Sequence, residues 1–156
     1  MDNLVFEQAD FGSPSHKKAI IRLLNAYITD KMGGGTEYND ERSEALISGL
    51  QNTPSANITL GSKGGEYIGL ITWFVNFSTF LLKPYINVHD VIILSEYRNM
   101  GIGRKMLNHL IDYSKKHNMC KLTLEVRNDN LNAQHLYRDL GFKEGDPPMF
   151  FWSLKL

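Results

Sequence analysis

Residues 91 to 107 read VIILSEYRNMGIGRKML, an apolar run, a short polar bend with two glycines, and a basic stretch. The first amides of a helix have no intrahelical partner and lie at the positive end of its dipole. A helix entered through a glycine turn is therefore built to hold an anion. Gly101 and Gly103 permit close approach of a ligand to the main chain, Asn99 tolerates a left-handed backbone, and Arg98 and Arg104 add positive charge at the same end. Phosphate is the natural occupant. Glycines placed for packing alone in a strand-to-helix turn would give the same letters. The nucleotide P-loop needs Gly-Lys-Ser/Thr after its second glycine, and the dinucleotide fingerprint needs a third glycine and a later acid, so neither fits. Just upstream, His89 and Asp90 pair the residue types of a charge relay, but neighbours in a regular strand point to opposite faces, which argues against joint action.

The elements that must position these groups follow from periodicity. LVFEQA at 4–9 reads as a first strand. Ser13 and Pro14 open a helix with Ala19, Ile20, Leu23, Leu24, Tyr27 and Ile28 on one side, running to about Met32 before three glycines break it. Asn39 or Asp40 can cap a second helix that stops at Thr53-Pro54-Ser55. NITLGS and EYIGLITWFVNF flank KGG as a hairpin, and PYINVHDVIIL at 84–94 is the next strand, so three antiparallel strands are expected, with Trp73, Phe74 and Phe77 in the sheet core. After the bend, Ile102, Met106, Leu107, Leu110 and Ile111 form the apolar stripe of a third helix. KLTLEVR at 121–127 alternates as a strand, Asn130 can cap a fourth helix bearing Ala133, Leu136, Tyr137 and Leu140, and Gly141 ends it. FKEG and MFFWSLKL then read as closing strands. The order implies a mixed α/β fold, a mostly antiparallel central sheet of about six to seven strands flanked by about four helices, in a single domain over 1–156.

Composition narrows the partners. The 17 Lys and Arg equal the 17 Asp and Glu, so the overall field steers toward neither nucleic acid nor an anionic membrane, leaving only a local basic patch open. The lone Cys120, the absence of metal-spaced Cys/His clusters and an N-terminus without a basic start or apolar stretch lead us to expect a cytoplasmic protein with no metal.

With those residues in hand, the chain resembles the GNAT superfamily of acyl-CoA-dependent N-acetyltransferases. RNMGIG matches that family's Gln/Arg-x-x-Gly-x-Gly/Ala element, and LEVRNDNLNAQHLYRDLGF at 124–142 matches its later segment. Asn99 departs from the glycine usual after the first position. The resemblance implies acetyl-CoA as donor. It implies that Val91, Ile92 and Ile93 lend main-chain groups to the pantetheine arm, that Arg98, Asn99, Met100, Gly101, Ile102, Gly103 and Arg104 hold the diphosphate, and that Asn130 contacts the coenzyme. By the same resemblance Tyr137 protonates the departing thiolate, and Glu125 matches the base of the ribosomal-protein alanine acetyltransferases.

Read from the residues alone, each has a plainer role: Tyr137 as helix core, Glu125 as a partner of Lys121 or Arg127, Asn130 as a cap. The implied activity is direct acetyl transfer to an amine in a ternary complex. A small cationic amine is slightly favoured over a protein amine as acceptor; EYNDERSE at 37–44 reads either as a solvated helix start or as acids, Glu37, Asp40 or Glu44, that attract a cation, and a closed acidic pocket would favour a small molecule where a roomy trough between the first two helices and the last hairpin would favour a protein. The resemblance also raises a homodimer. The alternative is a non-catalytic acyl-CoA-binding regulatory module, which would have no use for Tyr137.

Overall fold

The computed structural model describes residues 3–156. Of these, the residues up to Glu125 form one compact unit and Val126–Leu156 form another.

The first unit is a five-stranded sheet in the order β1-β2-β3-β4-β5 with three helices. Strands β1 (Leu4–Gln8), β2 (Ala56–Lys63), β3 (Glu66–Ser78) and β4 (Lys83–Ile93) are antiparallel neighbours, and β5 (Leu122–Leu124) pairs parallel to β4. The chain is therefore mixed α/β with a mostly antiparallel sheet. Helix α1 (Pro14–Ile28) starts with proline in its first turn, where the missing N–H costs nothing. It ends at Ile28, four residues before the expected stop. Helix α2 (Asp40–Gln51) is capped by Asn39, whose side chain accepts from the Arg42 N–H at 2.9 Å. Ala19, Ile20, Leu23 and Leu24 of α1 and Ile47 of α2 pack on Ile58, Leu60, Leu70 and Ile92, forming a core on one face of the sheet.

Helix α3 (Ile102–Lys116) covers the opposite face. Its buried Met106 fits against two strand glycines: a Cβ on Gly61 would lie 3.0 Å from Met106 Sδ, and one on Gly69 would lie 2.8 Å from Met106 Sδ and 2.7 Å from Ile93 Cδ1. These glycines let α3 come close to the sheet. Trp73 is buried and donates to Thr59 Oγ1 at 3.0 Å, as a core residue should, whereas Phe77 is exposed.

The second unit holds helix α4 (Leu131–Asp139). Asn130 caps it, accepting from the Ala133 N–H at 3.2 Å, and Gly141 ends it at φ 93°. Gly141 N–H donates to Arg138 O and Phe142 N–H to Tyr137 O, the double bond of a Schellman stop, with the Phe142 ring against the Tyr137 ring at 5.8 Å.

The strand content falls short of expectation. The strand read over 121–127 shrinks to Leu122–Leu124, and FKEG and MFFWSLKL form no strand, so the sheet has five strands rather than six or seven. Alternating or apolar letters make a strand only when a neighbouring edge accepts the ladder. Residues 142–156 have none among the described residues, and Met149, Phe150, Phe151 and Trp152 are exposed.

Candidate active site

In the first unit the site starts from an irregularity in β4. Thr72 of β3 faces Asp90 while the next residue, Trp73, faces Val88, so His89 is an extra residue, a β-bulge. A bulge shifts which main-chain groups face which neighbour. Before it, Ile86 donates its N–H to Lys121 O on the β5 side; beyond it, Leu94 donates to Ile68 O of β3. By the alternation of an antiparallel ladder, Ile92 is turned toward β3, and Val91 and Ile93 present their N–H and C=O groups to the other side.

That other side is open. β5 pairs with β4 only at Ile86, Asn87 and Val88, so among the described residues no strand accompanies Val91–Ile93 there. The bulge also corrects the expectation that His89 and Asp90 are kept apart, because His89 Nδ1 lies 3.5 Å from Asp90 Oδ2. His89 is exposed and its ring meets Phe74 edge-on at 5.7 Å.

Beyond Ile93 the chain makes a single 3-10 turn (Ser95–Tyr97) and enters the glycine bend. Asn99 at φ 62° and Gly101 at φ 73° are both left-handed, the conformation anticipated for Asn99. A Cβ at Gly101 would meet nothing within 4 Å, so glycine is demanded by the backbone and open space lies beside it.

The start of α3 differs from that of α2. α2 has a side-chain cap with Asp40 and Glu41 in its first turn; α3 has Gly101 as N-cap, no side-chain cap bond and no acid in its first turn, which holds Arg104 and Lys105. Its first intrahelical bond is Lys105 N–H to Gly101 O, so the amides of Ile102, Gly103 and Arg104 precede the ladder. The positive end of the helix dipole, with no acid in its turn, favours an anion. Ile102 is buried as an anchor and Met100 is exposed.

Arg98 has a different place from the one its charge suggested. Its Nε donates to Ile93 O at 2.9 Å and its Nη2 lies 2.9 Å from Asp30 Oδ2. It braces the bend against both the end of β4 and the loop after α1. Asp30 is the hub of that loop: Met32 N–H donates to its Oδ1, and Gly33 and Gly34 N–H donate to its main-chain oxygen. The Met32 amide and the Arg98 guanidinium hold its carboxyl below the usual aspartate range. Sequence reading passed over Asp30; an aspartate at a helix end before three glycines is the signal that could have found it. Glu125 is exposed, one residue past β5. Lys121 lies over the Tyr85 ring at 4.9 Å rather than beside Glu125.

In the second unit, Asn130 commits its side-chain oxygen to the α4 cap. Arg127 grips Asp129 through two bonds of 2.9 and 2.8 Å, which lowers the Asp129 pKa. Tyr137 is half-buried in the last turn of α4, at the residue whose carbonyl accepts the Schellman bond from Phe142.

Comparison with known proteins gives the family. The model of the acetyltransferase (GNAT) family matches residues 20–142. An uncharacterised N-acetyltransferase of Bacillus subtilis (strain 168), YhfO, is 26% identical over 102 residues, 65% of this chain and 68% of that protein. The ribosomal protein bS18-alanine N-acetyltransferase of Escherichia coli (strain K12) is 42% identical over 55 residues, 35% of this chain and 37% of that enzyme. Among solved structures, a probable acetyltransferase superposes with a TM-score of 0.82 at 20% identity, covering 97% of both chains. The open edge of the bulged β4 and the start of α3 both lie within the matched segment, and the chain belongs to the acetyltransferase (GNAT) family and is an N-acetyltransferase.

Proposed function

We propose that this enzyme moves an acetyl group from acetyl-CoA directly onto an amine while both are bound. The observation that carries the reading is the continuity, within one unit, of an unpaired β4 edge and the acid-free start of α3 without a side-chain cap, joined by residues 94–101. The amides of Ile102, Gly103 and Arg104 face the diphosphate, and the left-handed Asn99 and Gly101 let the main chain curl around it. Arg98 and Met100 flank that curl, Arg98 holding it in place through Ile93 O and Asp30. Val91 offers the pantetheine arm its N–H and C=O as an added strand would use them, Ile93 offers its N–H while its carbonyl is held by Arg98, and Ile92 between them anchors the edge in the core. The amide nitrogen of Asn130, whose oxygen is used by the cap, contacts the coenzyme from the start of α4.

Acetyl-CoA supplies an activated thioester carbonyl. The chain must supply a neutral amine, a donor for the carbonyl oxygen as it gains charge, and a proton for the sulfur. A lysine-like amine is neutral in only about one molecule in 10³ near pH 7, a deficit of roughly 4 to 5 kcal/mol, which a positioned base offsets. Glu125 takes that proton, an N–H of the open β4 edge donates to the carbonyl oxygen, and the Tyr137 hydroxyl donates to the leaving sulfur. No covalent enzyme intermediate is needed, and Cys120 has no part.

A small cationic amine is the favoured acceptor. A shallow groove of about 460 Å³ between α1 and α2 carries Asp40 and Glu44 one helical turn apart, with Lys17 opposite. Among similar proteins, one solved structure is of an aminoglycoside acetyltransferase in complex with sisomicin, and the bS18 enzyme acts on a protein alanine; each name describes that protein. The deciding assay is thiol release from acetyl-CoA across a panel of polyamines, aminoglycosides and peptide N-termini. Turnover with a cationic small amine is the expected result, and turnover with peptides alone would reassign the acceptor. Tyr137→Phe should lower kcat with little change in the KM for acetyl-CoA; unchanged kcat removes the acid role. Glu125→Gln should abolish the acidic limb of the pH-rate profile, and an intact limb places the base elsewhere.

A further inference from the structure

The balanced net charge conceals a segregated surface at the β3–β4 turn. Phe77, Phe80, Leu81 and Leu82 there are 61%, 95%, 55% and 73% exposed. The turn is built, not frayed: Ser78 is buried, its main-chain oxygen accepts from Leu82 N–H at 2.8 Å and its hydroxyl accepts from Leu81 N–H at 3.2 Å. Leu82 sits at φ 54°, an unusual conformation for a branched apolar side chain, and one that a glycine or asparagine would adopt with less strain. The fold therefore accepts backbone strain to hold an apolar knob in water.

The foot of the knob is basic. Lys83 Nζ bonds Asn118 Oδ1 at 3.1 Å, Cys120 N–H donates to Pro84 O at 2.9 Å, and Ile86 N–H donates to Lys121 O at 3.1 Å, so residues 83–86 and 118–122 lie together. The stretches 77–86 and 113–122 contain four lysines, Lys83, Lys115, Lys116 and Lys121, and no aspartate or glutamate. Asp112, which borders the second stretch, is exposed and lies 3.9 Å from Lys115.

We propose that this turn is a docking point for an anionic lipid surface, with Phe80, Leu81 and Leu82 entering the acyl boundary and the lysines meeting the headgroups. An apolar tip above a cationic collar matches a bilayer, which has an apolar layer beneath a negative one. Two other occupants fit less well. A second copy related by a twofold axis would set lysines against lysines. A separate protein needs roughly 800 Å² of matched surface per partner for a stable interface, and one short turn offers far less. A lipid surface requires only depth.

The test is co-sedimentation of the full chain with vesicles of phosphatidylcholine alone and of phosphatidylcholine with phosphatidylserine. The expected result is binding on the order of tenfold stronger to the anionic vesicles, weakened by added salt. Phe80→Ser with Leu81→Ser should lower binding at least about tenfold while the melting temperature and acetyl-CoA affinity stay unchanged. Lys116→Gln and Lys121→Gln should each weaken anionic binding about fivefold, equivalent to about 1 kcal/mol, and leave neutral vesicles unaffected. Equal binding to both vesicles, no sedimentation with either, or binding indifferent to Phe80 would overturn the proposal. A dimer that dissociates on Phe80→Ser would also overturn it, by naming a second copy as the occupant.

Discussion

Deleting His89 separates the stability of the sheet from the shape of the site. On either side of the bulge the ladder is intact: Val88 faces Trp73 and Asp90 faces Thr72, so removal of the single residue between them leaves both registers as they are. No side chain changes face, and the penalty of a slipped strand, a core turned outward, does not arise. The deletion removes an edge-on ring interaction with Phe74 and a 3.5 Å contact with Asp90 in which the His89 side chain is 65% exposed. Such contacts contribute about 0–1 kcal/mol, so the melting temperature should fall by no more than roughly 2–4 °C for a chain of this size.

The site should respond quite differently. Without the extra residue β4 loses its local bend and can run beside β5 past Val88, closing the edge at Val91 and Ile93 where the pantetheine arm is proposed to bind. A displacement of about 1 Å at reacting groups can cost on the order of a hundredfold, and acetyl-CoA affinity measured by isothermal titration should fall by about that much. His89→Ala keeps the bulge and serves as control, with affinity near that of the parent. Undiminished affinity in the deletion, or equal losses in the deletion and His89→Ala, would refute the reasoning.

Gly69→Ala should destabilise by about 1–3 kcal/mol, because its Cβ meets Ile93 Cδ1 at 2.7 Å, Met106 Sδ at 2.8 Å and the Ile92 carbonyl at 3.1 Å; urea denaturation checks this, and Met106→Ala in the same chain should recover part of the loss. Gly101→Ala meets no atom within 4 Å and bears only the strain of its left-handed backbone, about 1–2 kcal/mol by the same assay. Asn130→Ala removes the α4 cap and should cost about 0.5–2 kcal/mol. Asp30→Asn should destabilise by up to about 1 kcal/mol at neutral pH. The Asp30 carboxyl titrates lower folded than unfolded, so its stabilisation is present above about pH 4 and is lost as pH falls through the folded value. Parent and variant should therefore converge in melting temperature under acid.

What the letters disclosed depended on how local the cause was. The α3 stripe, the Asn130 cap, the β2–β3 hairpin at Gly64-Gly65 and the left-handed Asn99 all arise within a few residues, and each is found where periodicity and turn chemistry put it. The bulge is a property of two strands. Nothing in YINVHDVII marks His89 as supernumerary until Thr72 and Trp73 are set opposite, and so alternation alone separates His89 from Asp90 wrongly. Gly61 and Gly69 look like weak points in their strands until Met106, some forty residues away, is packed over them. The tail failed for the converse reason, since MFFWSLKL has the composition of a strand and a ladder still needs a second edge.

The proposed coenzyme grip draws mainly on the main chain, and the structure shows why the side chains are less available. Arg98, the cation nearest the bend in sequence, has two of its donors engaged by Ile93 O and Asp30, so its charge is offset by a carboxylate whose pKa is depressed. What remains at the start of α3 is a set of amides preceding the first intrahelical bond. Amides cannot titrate or rotate away, and their dipoles are fixed by the fifteen-residue helix behind them. The helix is fixed in turn by Met106 against Gly61 and Gly69, and Gly69 lies opposite Ile93 at the end of the open edge. The spacing between the two ends of the proposed coenzyme site is thus set by one packing contact in the core, which is why a methyl group added at Gly69 should register in acetyl-CoA affinity as well as in stability.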